Sequence, residues 1–168
     1  MQNRFENKCV CTLDNLREMT THTRKTGYVV YISVCYVLLF LLGVTIPLYN
    51  GKIIMAVAVL GILFVTGIYF FMMPRINAKK QYEFYKKMCS GNELQIRVII
   101  YDDRIENIDV YNNKYTEIEY TDIKKIVETD NLFNIILNND SVIMLDKNGF
   151  IKGEAKEFYA FIVEKINQ

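Results

Sequence analysis

The hydrophobic pattern divides the chain into an apolar middle and two flanking regions with shorter periods. Between Lys25 and Arg75 the only charged residue is Lys52, which lies in a turn-like run with Asn50 and Gly51. Each half of this stretch is roughly 20 residues long, which allows an α-helix to cross a hydrocarbon core of about 30 Å. The pattern therefore predicts a two-helix transmembrane hairpin over residues 27–74.

The segment before the hairpin, residues 1–26, is short and polar. Residues 4–11 place Phe5, Cys9 and Cys11 on one face of an extended chain, which predicts a strand. Thr12 is a suitable N-cap for a helix that begins there and leads into the first span. The two cysteines are too few ligands for a structural zinc site, so no metal is predicted.

After Pro74 the chain alternates apolar and basic side chains at helical spacing, which predicts a basic juxtamembrane helix over residues 75–92. Together with residues before the first span, these cations form a predicted basic cluster at the membrane surface. Its members are Arg24, Lys25, Arg75, Lys79, Lys80, Lys86 and Lys87. The cluster either attracts anionic lipids or only sets the membrane topology, and both interpretations remain open.

From Glu93 the period changes to the alternation of β-strands. Six antiparallel strands are predicted, near residues 94–100, 104–111, 114–120, 123–129, 132–137 and 141–146. An amphipathic helix follows over residues 153–166. Residues 93–168 are therefore predicted to form one α+β domain, mainly β, whose curved sheet or barrel is closed by a C-terminal helix.

The distribution of charge along the chain predicts its orientation in the membrane. Residues 75–93 hold five Lys and Arg against two Asp and Glu, whereas residues 94–168 hold nine against fourteen, a net charge of −5. Because retained loops collect Lys and Arg, both termini are predicted to lie in the cytoplasm, with Lys52 outside. Cys9, Cys11 and Cys89 would then lie in the reducing cytosol and Cys35 in lipid, so no disulfide framework is implied.

Three segments of the last domain are distinctive: Tyr101-Asp102-Asp103-Arg104-Ile105, the run from Tyr120 to Thr129, and the run from Leu145 to Gly153. Together they resemble the YcxB-like family of bacterial membrane proteins. The resemblance implies two membrane helices, a pleckstrin-homology-like domain and a location in the bacterial cell membrane. A pleckstrin-like sandwich usually has seven strands, so residues 4–11 are expected to supply the one missing after Glu93 by pairing with an exposed edge.

Within these segments the most distinctive positions all have a structural interpretation. They are Tyr120, Asp122, Ile123, Lys147, Gly149, Phe150 and Gly153. Tyr120 is expected to end a strand, Ile123, Ile126 and Val127 to face the core, and Phe150 to pack under the last helix. Gly153 permits the angle at which that helix begins.

The acidic charge of the domain argues against several functions. Phosphoinositide headgroups and nucleic acids both require clustered Arg and Lys, so neither is an expected ligand. The acid pairs Asp102-Asp103 and Glu117-x-Glu119 have no companion histidine, nucleophile or glycine-rich phosphate loop, so the chain is not expected to be an enzyme or to bind a cofactor.

A membrane-anchored interaction module is the function that the sequence favours. The hairpin would hold the acidic domain at the inner membrane face, where it would dock a protein partner through a free sheet edge or a groove beside the last helix. Two alternatives stay open. One is envelope defence or immunity against membrane-active peptides, and the other is a self-associating structural membrane protein.

Overall fold

The computed structural model describes residues 3–24 and 26–166. The helices are α1 Leu13–His22, α2 Thr26–Phe40, α3 Ile46–Tyr49, α4 Ile53–Met88 and α5 Ala155–Ile166, with a π-helix at Leu41–Thr45 and a 3-10 helix at Tyr120–Asp122. The strands are β1 Phe5–Val10, β2 Gln95–Ile100, β3 Arg104–Asp109, β4 Lys114–Glu119, β5 Ile123–Glu128, β6 Leu132–Leu137, β7 Val142–Asp146 and β8 Phe150–Lys152.

The described residues fall into two compact units, and Arg24–Ile76 form the helical hairpin. Two helices, Gly27–Tyr49 and Ile53–Met88, are long and apolar enough to cross a membrane by length and composition. Gly43 lets them approach closely, because a Cβ atom there would lie 2.9 Å from the Cγ1 atom of Val59. Most other apolar side chains of the hairpin are exposed, as lipid-facing side chains would be.

Helix α4 continues through Pro74, so the predicted separate helix over residues 75–92 is instead the C-terminal part of α4, which ends at Met88. Proline has no backbone N–H, so the carbonyl of Phe70, four residues earlier, loses its helical donor. Arg24 compensates, because its Nη2 donates a hydrogen bond of 3.2 Å to the Phe70 oxygen. Its guanidinium also lies 5.1 Å from the centre of the Phe70 ring.

The second unit is the β domain, and its chain comes from both sides of the hairpin. Its strands form a five-stranded sheet in the order β4-β3-β2-β1-β8 and a three-stranded sheet in the order β5-β6-β7. All strand pairs are antiparallel, and this confirms the predicted class of a helical hairpin plus a mainly β domain with a C-terminal helix.

Strand β1 confirms that residues 4–11 join the sheet. It pairs with β2 from Phe5 opposite Ile100 to Val10 opposite Gln95. On its other side it pairs with β8, a strand that the sequence did not predict. The prediction of six strands after Glu93 was wrong by one, because the three residues of β8 are too few to show alternation and their partner lies at the opposite end of the chain.

The main core lies between the two sheets and helix α5. Phe5 pairs with Ile100, Ile100 with Ile105 and Ile105 with Ile118, so four strands contribute one buried row. From α5 the buried side chains are Phe158, Phe161 and Ile162, as the helical spacing predicted. In β5, one of the three residues predicted to face the core does not do so.

In β5, Ile123 is buried and Ile126 packs against the core, but Val127 lies outside this cluster and is half-buried. The register of β5 shifts between Ile123 and Lys125, which brings Ile126 to the core side. Neighbouring strand residues point to opposite faces, so Val127 then faces away.

A second cluster joins α1 to the part of α4 that follows Ala78. Its buried members are Cys9, Cys11, Leu16, Met19, Ala78, Cys89, Leu94, Leu132 and Met144. Thr12 caps α1 as predicted, since its Oγ1 accepts a hydrogen bond of 3.2 Å from the N–H of Asn15. However, α1 ends at His22 with Thr23 as its C-cap, so it does not lead continuously into the first span.

Glu18 ties α1 to the turn between β5 and β6. Its carboxylate accepts a 2.5 Å bond from the Thr129 hydroxyl and bonds of 2.8 and 2.9 Å from the backbone and side-chain N–H groups of Asn131. Partial burial alone would raise the pKa of Glu18, but the bonds donated by Thr129 and Asn131 outweigh it and hold the pKa below its usual value.

We expect Glu18→Gln to destabilise the domain by about 1 kcal/mol at neutral pH, a modest value because solvent screens the partly exposed carboxylate. Since the folded-state pKa is lowered, this contribution is complete above the unfolded-state pKa and is lost as the pH falls through the folded-state value. Thermal unfolding of the detergent-solubilised protein between pH 7 and pH 3 measures it. Asp14→Asn, which removes an exposed pair with Arg17, is the control and should change little. A Glu18→Gln effect that stays constant with pH would contradict the assignment.

Candidate functional site

Strand β4 forms one edge of the five-stranded sheet, and among the described strands it pairs only with β3. Five of its six residues are exposed, and Ile118 is the buried one. An edge strand presents unpaired backbone N–H and C=O groups to solvent. Tyr115 adds an aromatic ring that is 65% exposed, which is unusual for so large a side chain on a sheet surface.

Two adjoining depressions lie where β4 passes into the 3-10 helix, and together we call them the acidic groove. The larger, of about 590 Å³, is lined by Asp103, Arg104, Glu117, Ile118, Glu119, Tyr120, Thr121 and Asp122. The smaller, of about 420 Å³, is lined by Asp102, Asp103, Tyr120, Thr121, Ile123, Lys165 and Ile166. Because Asp103, Tyr120 and Thr121 line both, the groove runs from β4 to the end of α5.

Arg104 is surrounded by carboxylates within the larger depression. Its guanidinium lies 3.1 Å from Asp103, 3.4 Å from Glu106 and 2.9 Å from Glu117. One positive charge therefore offsets only part of three negative charges. The groove as a whole remains net negative, because its lining holds five carboxylates against two cations, Arg104 and Lys165.

Tyr120 forms the floor between the two depressions. Its hydroxyl donates a 2.5 Å hydrogen bond to the backbone oxygen of Tyr101, and its ring packs edge-on against Phe161 at 6.0 Å. Burial raises the pKa of Tyr120, and the negative charges of Asp102 and Asp103 raise it further. The phenol therefore stays protonated and acts as a fixed donor and an apolar surface.

The other distinctive positions do not gather into one site. Asp122 accepts a 3.4 Å bond from the N–H of Glu119 and helps to cap the 3-10 helix. Lys147 pairs with Glu128 at 2.7 Å, on the three-stranded sheet. Ile123 belongs to the main core.

The junction between β8, β1 and α5 contains three of these positions, Gly149, Phe150 and Gly153. The Phe150 ring lies 5.3 Å from that of Phe158, so it packs under the last helix as predicted. Gly149 faces the backbone of Lys8, and Gly153 has a φ of +78°. Of the seven positions, only Tyr120, Asp122 and Ile123 line the acidic groove.

The predicted basic cluster is distributed over several exposed positions. Arg75, Lys79, Lys80, Lys86 and Lys87 are exposed side chains of α4. Lys79 lies 3.9 Å from Glu83, and Lys86 lies 5.7 Å from the centre of the Tyr82 ring. Arg24 is engaged by Phe70, as described above, and Lys25 lies outside the described residues.

Cys9, Cys11 and Cys89 are buried together in the second cluster. Burial raises the pKa of both Cys9 and Cys11 to about 12, and nearby Asp146 adds to the effect at Cys9. Such thiols are protonated at neutral pH and are poor metal ligands or nucleophiles. Within residues 3–24 and 26–166, no group of three or more His, Cys, Asp and Glu side chains is arranged to hold a metal ion.

Comparison with known proteins bears on the domain that carries the acidic groove. The model of the YcxB-like protein family matches residues 100–162, a stretch that begins at the last residue of β2 and ends within α5. The C-terminal domain is YcxB-like. This confirms the resemblance carried by the sequence segments between Tyr101 and Gly153. The match includes the residues that line the YcxB-like domain's groove, except Lys165 and Ile166.

The remaining comparisons add little. A search of curated proteins finds no match. Among solved structures, the chain is similar to the C-terminal domain of an unknown protein from Leishmania infantum, with 15% sequence identity and a TM-score of 0.37. That similarity covers 47% of this chain and 74% of the other.

Sequence reasoning found the acids of the groove but not their arrangement. From the sequence, the pairs Asp102-Asp103 and Glu117-x-Glu119 were considered only as possible catalytic acids without a companion histidine or nucleophile. The structure places Glu117 opposite Glu106 across β3 and β4, with Arg104 opposite Glu119. The signal was present in the spacing, since Arg104-x-Glu106 and Glu117-x-Glu119 each put two charges on one face of a strand.

Proposed function

We propose that the chain is a membrane-anchored interaction module whose YcxB-like domain docks a protein partner at the acidic groove and the neighbouring β4 edge. The observation that carries this proposal is the continuity of the two: a strand with one free edge leads directly into a concave surface about 590 Å³ in volume. Exposed backbone groups next to a groove are a common arrangement for binding an extended protein segment.

The hairpin supports the membrane part of the proposal. Two adjacent helices of sufficient length expose apolar side chains almost throughout, and the turn between them is short. Since the chain is basic on both sides of the hairpin, we further propose that both termini lie in the cytoplasm of a bacterial cell and that the domain works at the inner membrane face. The cationic face of α4 would then meet anionic lipid headgroups.

The chemistry of the groove favours docking over catalysis or lipid recognition. Its single arginine is held by three carboxylates, so it is not free to bind a phosphate. Its tyrosine hydroxyl is committed to a backbone oxygen. Among the described groove residues, none is a histidine, cysteine or serine that would act as a base or nucleophile.

Photocrosslinking in living membranes tests the proposal. A photoreactive amino acid at Thr121, which is exposed within the groove, is expected to capture a partner protein identifiable by mass spectrometry. The same amino acid at Lys156, exposed on α5, is the control and should not capture it. Identical adducts at both positions, or adducts only between copies of this chain, would count against a separate partner at the groove.

A further inference from the structure

We infer that the β4 edge binds an extended segment rich in lysine or arginine, which adds to the five-stranded sheet as a further strand. This inference rests on the proposed docking function and specifies the chemistry of the partner. It draws on three observations: the availability of β4 compared with the other edges, the sign of the charge beside it, and the shape of the surface beyond its end.

The other sheet edges in the described part of the chain are obstructed. Along β7, Asn7 of β1 donates a 2.7 Å bond to the backbone oxygen of Asp146 and accepts one of 3.2 Å from its N–H. Strand β8 has only three residues. Strand β5 exposes Lys124 and Lys125, whose positive charges would repel a basic segment.

Strand β4 instead presents six residues, enough for a ladder of ordinary length. The side chains at the end of β4 that leads into the acidic groove are negatively charged. Glu117 and Glu119 belong to the strand, and Asp103 and Asp122 line the groove beside them. Lys114 lies at the opposite end of β4. The basic part of an added strand is therefore expected to lie beside the end that enters the groove.

The groove extends the binding surface beyond the end of the ladder. Tyr120 and Ile166 give it apolar surface, with the Lys165 ammonium 5.6 Å from the centre of the Tyr120 ring, and Asp102, which pairs with Arg4 at 2.9 Å, and Asp103 supply carboxylates. A lysine or arginine side chain suits this combination, because its methylene groups pack on apolar surface while its charge meets a carboxylate. Backbone pairing would supply affinity, and the charges would supply the preference for a basic segment.

The test uses the full chain in nanodiscs of phosphatidylcholine, which carries no net charge to compete for cations. The probe is a peptide of about ten residues that alternates lysine and valine, and its twin carries N-methyl groups at alternate residues. We expect the probe to bind and to slow hydrogen exchange along β4. The twin has the same charge but cannot form the ladder, so its binding should be at least about tenfold weaker.

Matched variants separate the charge from the ladder. Glu117→Gln together with Glu119→Gln is expected to weaken probe binding by about fivefold, because the surface beside the free edge loses two negative charges. Asp130→Asn together with Glu157→Gln removes two exposed carboxylates elsewhere and should leave binding unchanged. An exchange measurement without peptide checks that each variant remains folded.

Two results would overturn the inference. Equal binding of the probe and its N-methylated twin would exclude strand addition, and binding unaffected by the Glu117 and Glu119 changes would exclude the basic preference. These outcomes are distinct from a failure of the proposed function. If Thr121 captures a partner in membranes but the probe does not protect β4, docking stands and strand addition fails.

Discussion

A protein that lacks residues 1–12 is expected to lose the cooperative fold of its YcxB-like domain. Strand β1 lies between β2 and β8, so its removal leaves β8 without a partner and β2 paired only with β3. Phe5, Asn7 and Cys9 are buried, and truncating one buried phenylalanine typically costs about 3–5 kcal/mol. The combined loss approaches the whole stability of a typical domain, about 5–15 kcal/mol.

Soluble versions of the domain provide the measurement. Residues 92–168 alone are expected to aggregate or to unfold without a cooperative transition. A version in which a flexible linker replaces residues 24–76, so that it keeps β1 and α1, is expected to unfold cooperatively in circular dichroism and to remain monomeric. A monomeric, cooperatively folded fragment of residues 92–168 would contradict the central role of β1.

Gly149→Ala is expected to destabilise the domain by several kcal/mol, roughly the cost of forcing apart two packed backbone segments. A Cβ atom at Gly149 would lie 2.2 Å from the backbone oxygen of Lys8, where no flexible side chain can move aside. At the same close contact between the two backbones, the Lys8 N–H donates a 2.8 Å hydrogen bond to the Gly149 oxygen. Relief of the clash would separate β1 from the segment before β8, which costs packing as well as that bond.

Chemical denaturation of the domain that retains β1 measures this effect. Asn148→Ala is the matched control, since Asn148 is the exposed neighbour of Gly149, and its substitution should change stability by less than about 0.5 kcal/mol. A Gly149→Ala protein as stable as the Asn148→Ala protein would show that β1 does not pass so close to this turn.

Both predictions follow from the same topology. The first strand and the first helix of the domain precede the hairpin in the sequence, and the remaining strands follow it. The domain therefore closes only when the segments that precede and follow the helical hairpin in the chain meet. Contacts such as Asn7 with Asp146, which are 139 positions apart in sequence, are the ones that close it.

Local patterns determined much of the fold because their causes are local. Three such features reflect contacts or solvent exposure within short stretches of sequence. They are the uncharged runs on either side of Lys52, the N-cap at Thr12, and the spacing of Phe158, Phe161 and Ile162. The family resemblance between Tyr101 and Gly153 also lies in short segments.

Other features required the tertiary structure. Strand β8 is too short for a period, and α4 passes through Pro74 because Arg24, far away in sequence, supplies the missing hydrogen bond to Phe70. The sequence placed acids on β4 and on the turn before Arg104, but only the pairing of β3 with β4 gathers them around that arginine and leaves one free edge beside them. By itself the sequence determined which residues are apolar, charged or extended. Only the tertiary structure decided which strands have partners, because strand pairing is set by contacts between residues far apart in the chain.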